Sequence, residues 1–247
     1  MWIAIPQTTA NSLSWDSESG KNVYKLKSSG VGSEIIIDSS SGENLNGSDV
    51  PTLMLTSMPD DPHLGHEYRY IFASLGKSFA FLKDINNHYG IRVERLGRNG
   101  PKYLVTWDGA LAPLLRRVLH TPYYDVAAPQ VVLRLEGRKL LNASSCFSAE
   151  YDEQIAATAK DLTETHIATF LKAPEAERNL DIRIAVLRRI LNYVYSGREP
   201  QAWQTLDRMW PPVDGERLKN SILTAYRTGI LSQTDGSDRC NITEPAR

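Results

Sequence analysis

From Val23 to about Glu136, apolar and polar residues alternate in short runs. "NVYKLKS" (Asn22 to Ser28) has period two, "SEIIIDS" (Ser33 to Ser39) carries a β-branched run, and "SSSGENLNGSDVP" between them and the next run is a polar loop with two glycines and a closing proline. "PTLMLTSM", "HEYRYIFAS", "KSFAFLKD", "YGIRVERLG" and "PKYLVTWDG" follow, each bounded by Gly, Pro, Asn or Asp. Regular strands with short turns predict an antiparallel meander. Within Gly97 to Pro101, the Asn99-Gly100 pair is a strong hairpin signal, since both residues tolerate positive φ. "ALAPLLRRVLH" reads as a short helix broken by Pro113, "PYYDVAAP" as a proline-bounded extended stretch, and "QVVLRLEGRKLLNAS" as a hairpin turning at Gly137.

Beyond Cys146 the apolar period becomes 3.6. Ile155, Ala159, Leu162 and His166 predict one helix stopped by Pro174. Ile184, Leu187, Leu191 and Val194 predict a second, ending at Gly197. Ala202, Trp203, Leu206, Met209 and Trp210 predict a third, closed by Pro211 and Pro212. A fourth takes Asp214 as N-cap and carries Leu218, Ile222, Ala225 and Gly229 on its inner face. Strands first and helices second, without alternation, make the chain α+β and exclude a doubly wound dinucleotide fold. The expected layout is an N-terminal antiparallel β-meander over 1–146, built as a sheet or a partial propeller, then a C-terminal helical layer over 147–232 and a polar tail over 233–247 that frays.

Composition narrows the function classes. The 247 residues are enough for a real core, and 41% hydrophobic with 23% charged residues is ordinary for a globular chain. A net charge of −1, from 28 basic and 29 acidic side chains, leaves no cation excess for phosphate backbones, so nucleic acid is not an expected partner. The start "MWIAIPQTTANSLSW" lacks a basic n-region and an apolar run of signal-peptide length, and no run anywhere is long enough to span a bilayer. Cys146 and Cys240 stand in no CxxC spacing, which removes zinc-ribbon and thioredoxin-type chemistry. They could form one disulfide in an exported protein, but the simpler expectation is a buried thiol and a tail thiol.

"DINNHYG" (Asp84 to Gly90) has the beginning of a calcium loop, with Asp84 and Asn86 at alternating positions and Gly90 at the turn. His88 stands where a third oxygen ligand belongs and Glu94 lies beyond the loop, so the expectation is a remnant or a plain turn. The stretch "FAFLKDINNHYGIRVERLGRNGPKYLVTWDG", followed by "PYYDVAAPQVVLRLEGRKLLNASSCF", resembles the degenerate FG-GAP or VCBS-type strand repeat of exported bacterial proteins. It is also similar to uncharacterised bacterial proteins in which such strands run into a helical segment. The resemblance covers roughly Phe79 to Tyr151, with a fainter echo from Asn192 to Pro212, and is one of texture and spacing. It implies a periplasmic or secreted protein of no assigned reaction. The loops of that family are Asp-rich and bind calcium; His88 departs from that pattern.

"PDDPHLGHEYRY" is the densest cluster of potential ligands, and Asp60, His63, His66 and Glu67 could hold zinc or iron with an open position for water. Its spacing is neither HExxH nor HxxEH, and Pro59, Pro62 and Gly65 favour a surface loop. "YVYSGREPQAW" resembles one tetratricopeptide helix-turn-helix unit, but such repeats need about three copies. Trp203 and Trp210 read as helical core, or, if open to solvent, as a partner-binding patch. GxSxG, GxxxxGK[ST] and GxGxxG motifs are missing, and adjacent carboxylates such as Asp152/Glu153 do not face each other. The expected function is therefore non-catalytic: an exported bacterial protein that binds a protein or an envelope component. The alternative is a metal-dependent hydrolase built on Asp60 to Glu67.

Overall fold

The computed structural model describes residues 12–13, 26–27, 34–58, 68–75, 79–95, 101–120 and 127–240. The chain forms an α+β protein of two compact units: residues up to Tyr89 with Leu135–Lys139, and Gly90–Arg134 with the chain from Leu140 onward. The division thus falls inside the strand-rich segment and not where the hydrophobic period changes. The Asn-Gly turn at 99–100, and residues 121–126 of the proline-bounded stretch, lie outside the described residues.

In the first unit, β1 (Ser12–Leu13) pairs antiparallel with β2 (Leu26–Lys27). The expected meander follows as β3 (Glu34–Ile37), β4 (Thr52–Met58), β5 (Tyr68–Leu75) and β6 (Phe79–Asn87), neighbours in chain order and all antiparallel. Alternation builds its packing: Leu53 opposes Ala73 and Leu55 opposes Ile71, and these four form a buried cluster on one face. Met54 and Phe72, opposite each other and pointing the other way, are also fully buried. The middle of the sheet is therefore covered on both faces, which is why "TLMLTSM" is apolar beyond simple alternation. A register shift between Phe72 and Ala73 marks a bulge in the β5–β6 pairing.

In the second unit, apart from the hairpin tip Leu135–Lys139, β7 (Arg92–Arg95), β8 (Lys102–Trp107), β9 (Gln130–Glu136), β10 (Lys139–Asn142) and β11 (Gly236–Ser237) form a sheet of order β11-β10-β9-β8-β7. The strands β7, β8 and β9 pair antiparallel, while β11 joins β10 in parallel. Six helices accompany it among the described residues: α1 (Ala112–Leu119), α2 (Ser148–Ala157), α3 (Glu164–Lys172), α4 (Leu180–Tyr195), α5 (Glu199–Met209) and α6 (Pro212–Thr228). Strands and helices share one core here: Tyr103 of β8 meets Phe147 edge to face at 4.9 Å, and the Tyr151 hydroxyl of α2 donates to the Gln130 carbonyl of β9. That shared packing joins β8 and β9 to the helical segment.

Several helix boundaries differ from expectation for local reasons. The single helix expected from Ile155 to Pro174 is two, because Thr163 adopts extended backbone and its side chain accepts from the His166 N–H, starting a new helix. Pro113 lies in the first turn of α1 and begins it, where its missing N–H has no cost. Asp214 lies inside the first turn of α6, which Pro212 opens, so it is not the N-cap. The end of α4 follows the expectation: Gly197 has φ +79°, its N–H donates to Val194 and that of Arg198 to Tyr193, a Schellman pair.

The segment expected to fray after Ser232 is instead tied down as far as Cys240. Leu140 N–H donates to Asp235 at 2.8 Å, Arg134 pairs with Asp238 at 3.2 Å, and Cys240 is disulfide-bonded to Cys146. The two-thiol expectation is corrected by that bond, which sequence separation gave no means to foresee. Residues 241–247 lie outside the described residues. No helix among the described residues is long and apolar enough to cross a membrane.

Candidate functional site

The second unit contains a cavity of about 250 Å³ lined by Arg117, His120, Arg178, Arg183, Trp210 and Asp214, with Glu175, Arg217 and three aliphatic side chains completing the wall. Helix α1 supplies Arg117 on its exposed face and then stops at His120, whose backbone is left-handed at φ 52° and whose N–H donates to the Arg116 carbonyl. Arg117 donates to the Ser221 hydroxyl of α6 at 3.0 Å.

The next wall is the link between α3 and α4. Ala173, extended because Pro174 follows, ends α3. A single 3-10 turn over Glu175–Glu177 then brings Arg178 to the cavity. Arg178 is anchored through Nε to the Ala173 carbonyl at 3.2 Å and through Nη1 to Asp214 at 3.2 Å. Asn179 caps α4 by accepting from the N–H groups of Asp181 and Ile182.

One turn into α4, Arg183 is buried at 7% exposure. Its guanidinium donates to the carbonyls of Val118, Glu175 and Arg178 at 2.8, 2.9 and 3.4 Å. Burial lowers its pKa and the Arg178 charge lowers it further, against the pull of Glu175. The remaining wall comes from α5 and α6. Trp210 is 4% exposed and meets Phe170 edge to face, while Asp214 places its second oxygen 2.9 Å from Arg217.

A buried polar cluster stands in the same unit, beside the 3-10 turn that leads into α1. Asp108, with no exposed surface, accepts from Ala110 N–H at 3.0 Å, from Ile230 N–H at 3.3 Å and from the Tyr195 hydroxyl at 2.7 Å. Burial, and then the Asp108 carboxylate, push the Tyr195 phenol well above its ordinary value. Tyr226 packs edge-on against Tyr195 at 5.4 Å and is raised mainly by burial. A Cβ placed on Gly229 would overlap the Asp108 carboxylate, so glycine is required there for space, not for backbone conformation.

The residues singled out by sequence fall elsewhere. Asp60, His63, His66 and Glu67 lie outside the described residues. Asp84 and Asn86 belong to strand β6 and not to a loop, and the Asp84 carboxylate is ion-paired with Arg69, through Nε at 3.0 Å and through Nη2. A guanidinium already on that oxygen competes directly with calcium. No group of three or more His, Cys, Asp or Glu suited to a metal occurs among the described residues. Trp203 and Trp210 do not form an open aromatic patch: Trp210 is buried, and Trp203 is partly covered by Lys219, whose ammonium lies 5.4 Å from the ring centre.

The cavity was missed because its arginines come from separate segments. One of them did leave a trace: Arg183 lies four residues before Leu187 and seven before Ile190, on the buried stripe of α4, where an arginine is anomalous. Compared with known proteins, the chain matches no family model, no curated protein and no solved structure.

Proposed function

We propose that the protein is exported and acts by binding, holding a protein or an envelope component through its C-terminal unit without transforming it. The Cys146–Cys240 disulfide carries the export half of this reading, because such bonds persist in oxidising compartments and are rare where thiols are kept reduced. The FG-GAP-like texture of Phe79 to Tyr151 points the same way. The binding half is supported by the cavity lining, which is rich in guanidinium groups that recognise charge.

Cell fractionation with thiol alkylation tests the reading. The protein is expected in the periplasm or medium with neither cysteine alkylated before reduction. Recovery from the cytosol with both thiols alkylated would overturn the assignment.

A further inference from the structure

The chain as a whole is almost neutral, yet its cavity is not. Among the described residues, four arginines line it, against the two carboxylates of Glu175 and Asp214. Asp214 is shared between Arg178 and Arg217, one oxygen to each. Arg183 is hydrogen-bonded only to backbone carbonyls, which satisfy its N–H groups without an ion pair, so its charge is offset only in part, by nearby Glu175.

Unused donors accompany the unused charge. Arg178 makes its contacts through Nε and Nη1, and its Nη2 has no protein acceptor among the described residues. Trp210, on the same wall, buries an indole N–H that also lacks one. The Trp210 N–H is buried, and buried donors are nearly always satisfied in native proteins; with the spare Arg178 donor and excess positive charge on the same wall, it asks for an acceptor carrying negative charge.

We infer that this cavity binds an oxyanion group, a phosphate or a carboxylate, held by Arg117, Arg178 and Arg217 with Arg183 supplying buried charge. The inference rests on the reading of the C-terminal unit as a binding module and names what it takes. Guanidinium forks match either anion in bidentate geometry, and a cavity of about 250 Å³ has room for such a group with carbon atoms attached. Asp214 has a second role in this arrangement: it is the intramolecular competitor that holds Arg178 and Arg217 together while the cavity is empty of ligand.

Calorimetric titration of the full chain, disulfide intact, tests this with sodium phosphate and, separately, sodium succinate, against sodium chloride at equal ionic strength. Saturable binding of at least one anion is expected, weakened about tenfold by Arg217→Gln and by Arg117→Gln through loss of a charge-assisted hydrogen bond. Arg217 has 69% of its side chain exposed, so its replacement leaves the fold intact. Asp214→Asn is expected to tighten binding, a gain that a merely structural carboxylate would not give. Saturation by phosphate alone identifies a phosphoryl-bearing ligand, and by succinate alone a carboxylate.

Heats indistinguishable from chloride for both anions would overturn the inference, as would binding unchanged in both arginine variants. Weaker binding in Asp214→Asn would remove the competitor role. Should Asp214→Asn fail to fold, the arginine variants still decide. None of these outcomes depends on where the protein resides, so failure here and failure of the export assignment are separately visible.

Discussion

At the scale of single residues, the second unit depends on a carboxylate without access to water. Asp108 is held by two backbone N–H groups and one phenol, and Gly229 leaves it room. Tyr195→Phe removes a donor to a buried charge and is expected to lower unfolding free energy by about 1.5–3 kcal/mol in urea titration. Gly229→Ala forces a methyl group into the carboxylate and should cost about 1–3 kcal/mol by the same measurement; an unchanged midpoint would contradict the close packing. The tyrosines also set an alkaline limit. Tyr103, Tyr151, Tyr195 and Tyr226 all have raised phenol pKa values, chiefly through burial. Below the ordinary value of 10 both folded and unfolded chains keep these protons. Above it the unfolded chain releases them first, so stability is lost as pH rises from 10 toward the folded values, by up to about 1.4 kcal/mol per pH unit for each tyrosine. The share of phenolate absorbance that belongs to these four of the eleven tyrosines should rise together with loss of helical circular dichroism, not before it.

At the scale of elements, the sequence was most legible where a single residue has one physical use. Gly197 was readable as a helix end because only a residue free to take φ +79° closes a Schellman turn cheaply. A Cβ there would meet only Ser145, at an ordinary 3.8 Å, so Gly197→Ala should cost about 1–2 kcal/mol from backbone conformation alone, measurable as a lower unfolding midpoint. Thr163 was not legible, since apolar residues on both sides of it keep helical phase and hide the break. The cap becomes evident only from its bond to His166. The meander was read correctly from alternation, but alternation cannot say which strands share a sheet, and β7 leaves the meander to pair with β8 in a second sheet. The arginine cavity was hidden for the same reason, because Arg117, Arg178, Arg183 and Arg217 meet only through tertiary folding.

For the molecule as a whole, the disulfide is the dominant constraint. It closes a sequence separation of 94 residues, and the chain-entropy argument gives it about 4–5 kcal/mol. Cys146→Ser is expected to lower stability by that order in guanidinium unfolding, and addition of reductant to the parent protein should reproduce the loss. The ring it closes contains every helix from α2 to α6. A chain pulled from two points outside that ring would carry the load through the sulfur atoms, and the helices would not extend. Roughly 310–340 Å of extended chain is held in reserve in this way, at about 3.3–3.6 Å per residue. A stretched molecule would release that length on reduction, so the bond makes the chain's reach, and not only its stability, a matter of redox state.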